Sequence, residues 1–269
     1  MPENITNARK ALIFTILIFV FVALFLLAPL QLEAGMFMFV PFLAMVLTML
    51  ISGDLFVGKS WGDLKLRIWN KKVFLGLLAA VPMLIGYTVV WVLNISSFQG
   101  TSDSVGKIFV EAIILLIGTS VSSVLAEEIG WRGYLYNKLI SMGFMKSQLL
   151  IGVIWGSFHL PIIIFNGDYH SDTNLLLYIP LFMVTIILAS VFIGYVRFVS
   201  GSLWAASLAH AAHNLAWHYG EQFSINANEI ATYLTGDAGI IIAVVYGLAA
   251  LWIAKRMKQT YAHKNELTA

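Results

Sequence analysis

The sequence predicts an all-α protein: a polytopic membrane bundle of about eight transmembrane helices with both termini in the cytoplasm. Three observations predict it. Of 269 residues, 59% are hydrophobic and 11% charged, whereas soluble domains carry roughly 25% charged residues. Several apolar runs reach the roughly 20 residues a helix needs to cross a hydrocarbon core. The basic residues gather in alternate connections between those runs, the pattern that places such connections on the cytoplasmic side.

The spans fall at 11–30, 34–52, 73–94, 108–128, 148–166, 174–196, 203–219 and 238–254. The first is preceded by Arg9 and Lys10 and has no small-residue cleavage site after it. It is also longer than a signal-peptide core, so it reads as a retained helix. Pro41 weakens the second, and His210, His213, Asn214 and His218 interrupt the seventh, which leaves seven spans as the alternative count. The connection 53–72 carries Lys59, Lys65, Arg67, Lys71 and Lys72 with Leu64, Leu66, Ile68 and Trp69. It is either an amphipathic stretch lying in the interface or an ordinary cytoplasmic loop.

Under eight spans, Lys138, Lys146, Arg197, Lys255, Arg256, Lys258 and Lys264 join that same side. On the other side Lys107 stands alone among Glu33, Asp103, Asp168, Asp172, Glu221, Glu229 and Asp237. The net charge of +2 averages over this asymmetry and gives no reason to expect a nucleic-acid partner. The chain contains no cysteine, which excludes disulfides, thiolate nucleophiles and Cys-ligated metals. Residues 1–269 read as one integral-membrane domain, with a core at 108–218.

Ionisable groups within apolar spans are costly and mark functional sites by default. Glu127 and Glu128 end the fourth span, with Arg132 at i+4 from Glu128 and therefore on its face. Successive helical side chains are ~100° apart, so Glu128 can pair with Arg132 while Glu127 turns into the bundle, where it would suit a general base. An ion pair at the helix end is the simpler alternative. His159 sits mid-span before Pro161, which should kink the helix. His210, Asn214 and His218 form one i, i+4, i+8 stripe amid alanines that allow close helix approach. Glu111 is expected to pair with Lys107 at i−4.

Glu127, His159, His210 and Asn214 therefore stand out on three helices. Glu and His can deprotonate a water, and His and Asn can donate to an oxyanion. Two histidines and a glutamate are equally familiar as ligands of catalytic zinc, which would here be Glu127, His159 and His210. The His-Glu-x-x-His pattern of many zinc proteases is missing, and the reading adopted needs no cofactor.

These residues form three ordered motifs: Glu127-Glu128-x-x-x-Arg132, extended by Gly133 and Tyr134; Trp155-x-x-x-His159; and His210-x-x-x-Asn214. The chain resembles the CAAX-processing and bacteriocin-processing endopeptidases, whose second motif has phenylalanine where Trp155 stands. The resemblance covers roughly 108–218 and implies an intramembrane endopeptidase opening toward the cytoplasmic half of a bacterial cell membrane. It implies that Glu127 and His159 activate water, that His210 and Asn214 form the oxyanion hole, and that Glu128 and Arg132 support them. The substitution at Trp155 is expected to bear on packing or substrate fit. Implied partners are the bilayer and a peptide or membrane-anchored protein substrate, prenylated ones included. A proton-coupled transporter is a rival for the same polar groups, but the chain shows no inverted repeat. A non-proteolytic binding or immunity protein is the other.

Overall fold

The computed structural model describes residues 5–27, 34–165 and 173–268, so Glu33, Asp168 and Asp172 lie outside it. Among the described residues the longer helical segments are α1 (Asn7–Leu27), α2 (Val40–Ile51), α3 (Lys71–Val92), α4 (Val105–Met142), α5 (Phe144–Phe165), α6 (Leu175–Ser200), α7 (Leu203–Gln222) and α8 (Ile240–Thr268), with short helices at Ala34–Phe37, Gly58–Asp63 and Glu229–Leu234 between them. Local chemistry sets their starts. The side chains of Asn70, Ser104, Asn174 and Ser202 each accept a hydrogen bond from a backbone N–H in the first turn of the helix that follows. Pro41 sits in the first turn of α2, where its missing N–H costs nothing. Gly143 and Gly201, with φ of 92° and 66°, make the tight turns that close α4 and α6.

Among the described residues, six helices are long and apolar enough to cross a membrane. The remaining two are the segments the sequence marks as weakest. α2 has only 12 residues, and α7 has the length, at 20 residues, but carries three histidines and Asn214. α3 is a 3₁₀-helix over Lys71–Ala80 and an α-helix from Val81.

α4 differs most from expectation. Its fourth-span reading stopped at Glu128, yet the helix runs on to Met142, with a break at Ser122 and a π-helical turn over Ile129–Leu135. All seven residues of that turn are buried. Hydropathy reads carboxylates as a span end, but these two are paired inside the bundle.

α7 is the central element. Ala205, Ala206, Ala209, Ala211 and Ala212 are all buried on it. They let α3 lie directly against it: a Cβ on Gly76 would stand 2.7 Å from the Ala205 carbonyl oxygen and 2.8 Å from the Ala209 nitrogen. Two short strands, β1 (Ser97–Phe98) and β2 (Ser224–Ile225), pair antiparallel and tie the α3–α4 connection to the end of α7. At the opposite end, the 53–72 connection is stitched across α6 and α7. Asn70 donates to the Ser200 carbonyl at 2.9 Å, Trp204 Nε1 to the Leu66 carbonyl at 2.7 Å, and the Ser202 hydroxyl to the Ile68 carbonyl. Leu64 is buried, whereas Phe56 and Trp69 are exposed. Lys10 bonds Asp54 at 2.6 Å and fixes α1 to this connection. Lys107 and Glu111 stand 3.8 Å apart, the pair the sequence suggests.

Candidate active site

The site is built where the π-turn of α4 meets α5 and α7. Trp131 lies at i+4 from Glu127 as Arg132 does from Glu128, so each carboxylate meets a donor on its own helix. Trp131 Nε1 donates to Glu127 Oε1 at 3.0 Å, and Trp155 Nε1 of α5 donates to the same oxygen. Glu127 Oε2 is buried with no hydrogen-bond partner among the described residues.

Glu128 keeps different company. Its Oε1 accepts from Arg132 Nη1 at 2.7 Å and from His210 Nδ1 at 2.9 Å. Both carboxylates and Arg132 are fully buried. The Arg132 guanidinium also lies over the Trp155 ring, 4.4 Å from its centroid. The expected division, Glu128 to Arg132 and Glu127 into the bundle, is what the geometry shows.

Trp155 was expected to bear on packing or substrate fit more than on catalysis, and the structure gives it a hydrogen bond as well. Its indole N–H holds Glu127, a bond phenylalanine cannot make. Its ring meets His210 edge-on at 5.1 Å and His159 at 6.0 Å. Trp131 is the second residue the sequence reading overlooked. The same i+4 rule that found Arg132 would have found it, had the indole been counted as a donor.

His159 Nδ1 lies 2.8 Å from the Trp155 carbonyl. A carbonyl only accepts, so Nδ1 carries the hydrogen and Nε2 keeps the lone pair. The same logic gives His210 a hydrogen on Nδ1, directed at Glu128. His213 is tied elsewhere. Its Nδ1 bonds the Tyr246 hydroxyl at 2.9 Å, which in turn donates to the Ala79 carbonyl at 3.0 Å. His218 stacks on Trp217 with centroids 5.0 Å apart.

Glu127, His159, His210 and Asn214 all line one cavity of about 270 Å³, walled by apolar side chains that include Phe158, Ile162 and Phe182. A second cavity of about 450 Å³ shares Met38, Asn214 and His218 with the first. Mostly apolar walls with a few convergent polar groups are the general character of a small-molecule or peptide site. The resemblance implied a site in the half of the bundle that carries the basic loops. The first cavity's walls also include Met38 before α2, Ile163 late in α5, Trp217 late in α7 and Asp237 before α8.

The alternative zinc set, Glu127, His159 and His210, lines this same cavity. Among the described residues no group of three His, Asp or Glu side chains is arranged to hold a metal ion. Glu127 Oε1 is held by two indoles and Nδ1 of each histidine by a protein acceptor, so any metal would have to be held by Glu127 Oε2 and the two Nε2 atoms. No step below is routed through a metal.

Residues 109–216 match the family described as type II CAAX prenyl endopeptidase Rce1-like. The CAAX prenyl protease 2 of Methanococcus maripaludis is 33% identical over 104 residues, which are 37% of this chain and 36% of that protein. The chain thus aligns with little more than a third of that relative's length. The matched segment holds all three motifs, both indoles on Glu127 and the Arg132–Glu128–His210 chain. Over residues 109–216 the protein is thus similar to the Rce1-like type II CAAX prenyl endopeptidases.

Proposed function

We propose that the protein is an intramembrane endopeptidase that hydrolyses a peptide bond with a water activated by Glu127 and His159. One observation carries the reading: a buried carboxylate, held at one oxygen by two neutral donors and unpartnered at the other, lines the same cavity as His159, His210 and Asn214.

Glu127 Oε2 takes a proton from water as the water oxygen attacks the scissile carbonyl carbon, and His159 Nε2 accepts the water's other hydrogen bond. The Asn214 amide donates to the developing oxyanion. His210 can add a second donor from Nε2 only when both ring nitrogens carry hydrogen, because Nδ1 serves Glu128. When the C–N bond breaks, the proton passes from Glu127 to the leaving nitrogen, giving a free amine and a carboxylic acid that then ionises. The carboxylate and histidine supply base catalysis of ~10²–10⁴-fold, with oxyanion stabilisation adding to it.

Substrates on this reading are peptides or membrane-anchored proteins of CAAX or leader-peptide type, prenylated ones included. The relative's printed name, a CAAX prenyl protease, supports that class. The test is cleavage of a quenched CAAX-like and leader-peptide library by the detergent-purified chain, with and without a strong chelator, beside His159→Ala. Cleavage that survives the chelator and is lost in His159→Ala is expected. Cleavage abolished by the chelator and restored by zinc would overturn the metal-free mechanism, and no cleavage by folded protein would overturn the peptidase assignment.

A further inference from the structure

The cavity that holds Glu127 contains a hydroxyl that the reaction proposed above does not use. Phe182, Thr185, Ile186 and Ala189 of α6 all line it, at the i, i+3, i+4 and i+7 spacing of one helical face. Thr185 is the polar member of that stripe. It is 2% exposed, and its Oγ1 has no hydrogen-bond partner among the described residues.

A threonine in a helix has a local acceptor in the carbonyl one turn back. Thr15, Thr48, Thr119, Thr235 and Thr260 each donate to theirs, at 2.6 to 3.0 Å. Ser190, further along α6, donates instead to the Gln148 carbonyl of α5 at 3.0 Å. Thr185 makes neither kind of bond. Buried polar groups in folded proteins are almost always paired, so an isolated one asks for a partner from outside the chain.

The stripe stands beside the reacting groups. Phe182 meets the His159 ring with centroids 5.8 Å apart. Two glycines of α5 bring that helix hard against α6. A Cβ on Gly156 would lie 2.8 Å from Ile186 Cγ2, and one on Gly152 would lie 2.7 Å from Ile187 Cα. Thr185 falls between Phe182 and Ile186 in this contact, so close packing fixes its position relative to His159.

The neighbouring donors are committed. Both indole hydrogens go to Glu127, and Nδ1–H of His159 and of His210 go to the Trp155 carbonyl and to Glu128. The Tyr246 hydroxyl gives its own hydrogen to Ala79, so His213 Nδ1 donates to it and Nε2 is left with a lone pair. The Asn214 amide serves the carbonyl under attack. A peptide among apolar walls brings further carbonyls that have lost their water and need donors.

We propose that the Thr185 hydroxyl donates to a main-chain carbonyl of the substrate other than the one cleaved, holding the peptide against α6 beside Glu127. Thr185 is then a substrate-positioning residue that reads the main chain, so the contact is common to substrates of different sequence. That the occupant is a peptide rests on the function proposed above.

The test is the affinity of a fluorescent CAAX-type peptide, measured by anisotropy on the Glu127→Gln background to keep the peptide intact. Thr185→Val, which keeps the shape and removes the hydroxyl, should weaken binding by roughly 3- to 10-fold, the worth of one neutral hydrogen bond. Thr185→Ser should restore it. The unfolding temperature of Thr185→Val should equal or exceed that of its parent, because no bond within the protein is lost. A thioamide scan of the peptide should find one linkage whose weaker acceptor costs affinity with Thr185 and not with Thr185→Val. The proposal is overturned if Thr185→Val binds as tightly as its parent, if Thr185→Ser fails to restore binding, or if Thr185→Val lowers the unfolding temperature. Absence of saturable binding by folded protein would overturn it too. Cleavage plays no part in the readout, so a failure of the peptidase reading would be seen separately.

Discussion

Glu127 and Glu128 are adjacent and equally buried, yet their surroundings differ in kind. Glu128 is held by a guanidinium and an imidazole, from its own helix and from α7. Glu127 is held by two indoles, from its own helix and from α5; each carboxylate keeps its other oxygen without a hydrogen-bond partner among the described residues, but of the two only Glu127 lines the cavity. Charged partners make a carboxylate an anchor, because removing either side strands the other charge. Neutral donors fix its position without supplying an opposite charge, and leave the second oxygen free to take a proton. One residue thus ties α4 to α7, while its neighbour is the one the proposed function assigns to chemistry.

The contrast can be broken most severely at the anchor. Glu128→Gln leaves Arg132 buried without its counter-charge, and breaking such a pair costs ~3–5 kcal/mol. A large fall in thermal unfolding temperature in detergent is expected. Stability matching wild type would show that the Arg132–Glu128–His210 chain is not structural. Next comes the cradle. Trp155→Phe keeps the aromatic packing and removes the bond to Glu127, a charged hydrogen bond worth ~1.5–3 kcal/mol. Because each 1.36 kcal/mol is tenfold in rate, kcat/KM should fall by roughly 10- to 100-fold. Unchanged kcat/KM would return Trp155 to a packing role.

Gly130 sharpens the comparison further, since it lets α2 approach the turn that presents both carboxylates. A Cβ there would lie 2.5 Å from Pro41 Cβ and 2.9 Å from the Pro41 carbonyl oxygen. Gly130→Ala should therefore destabilise by ~1–3 kcal/mol, the usual cost of overpacking, read as a lower unfolding temperature. The smallest effect lies outside the spans. Burial alone would raise the Asp54 carboxyl, but the Lys10 ammonium, with Ser52 and Lys138, outweighs it and holds the pKa below the ordinary 3.8. A group depressed on folding contributes stability above its unfolded pKa and loses it as pH falls through the folded one. Lys10→Met should flatten the acid limb of the stability profile below pH ~4; an unaltered acid limb would show that the pair contributes nothing.

Much of this arrangement was legible in the sequence. Long apolar runs announced the bundle, and the alanines of α7 announced a close helix contact that Gly76 completes. The pairing of Glu128 with Arg132 followed from i+4 spacing alone. The end of α4 did not, because a hydropathy scale treats a carboxylate as solvated even when partners inside the bundle satisfy it. Trp155 on Glu127 was beyond reach for another reason. The two lie 28 residues apart on different helices, and their meeting depends on a π-turn that no local periodicity shows.

The central claim is that Glu127 is required for chemistry and dispensable for the fold. It is tested most directly by measuring turnover and thermal unfolding on the same detergent-purified sample of Glu127→Gln, beside wild type. The amide oxygen can still accept from Trp131 and Trp155, so the unfolding temperature should stay close to wild type. Peptide cleavage should fall by ~10²–10⁴-fold, the usual contribution of a general base. A well-folded Glu127→Gln that cleaves at the wild-type rate would contradict the account.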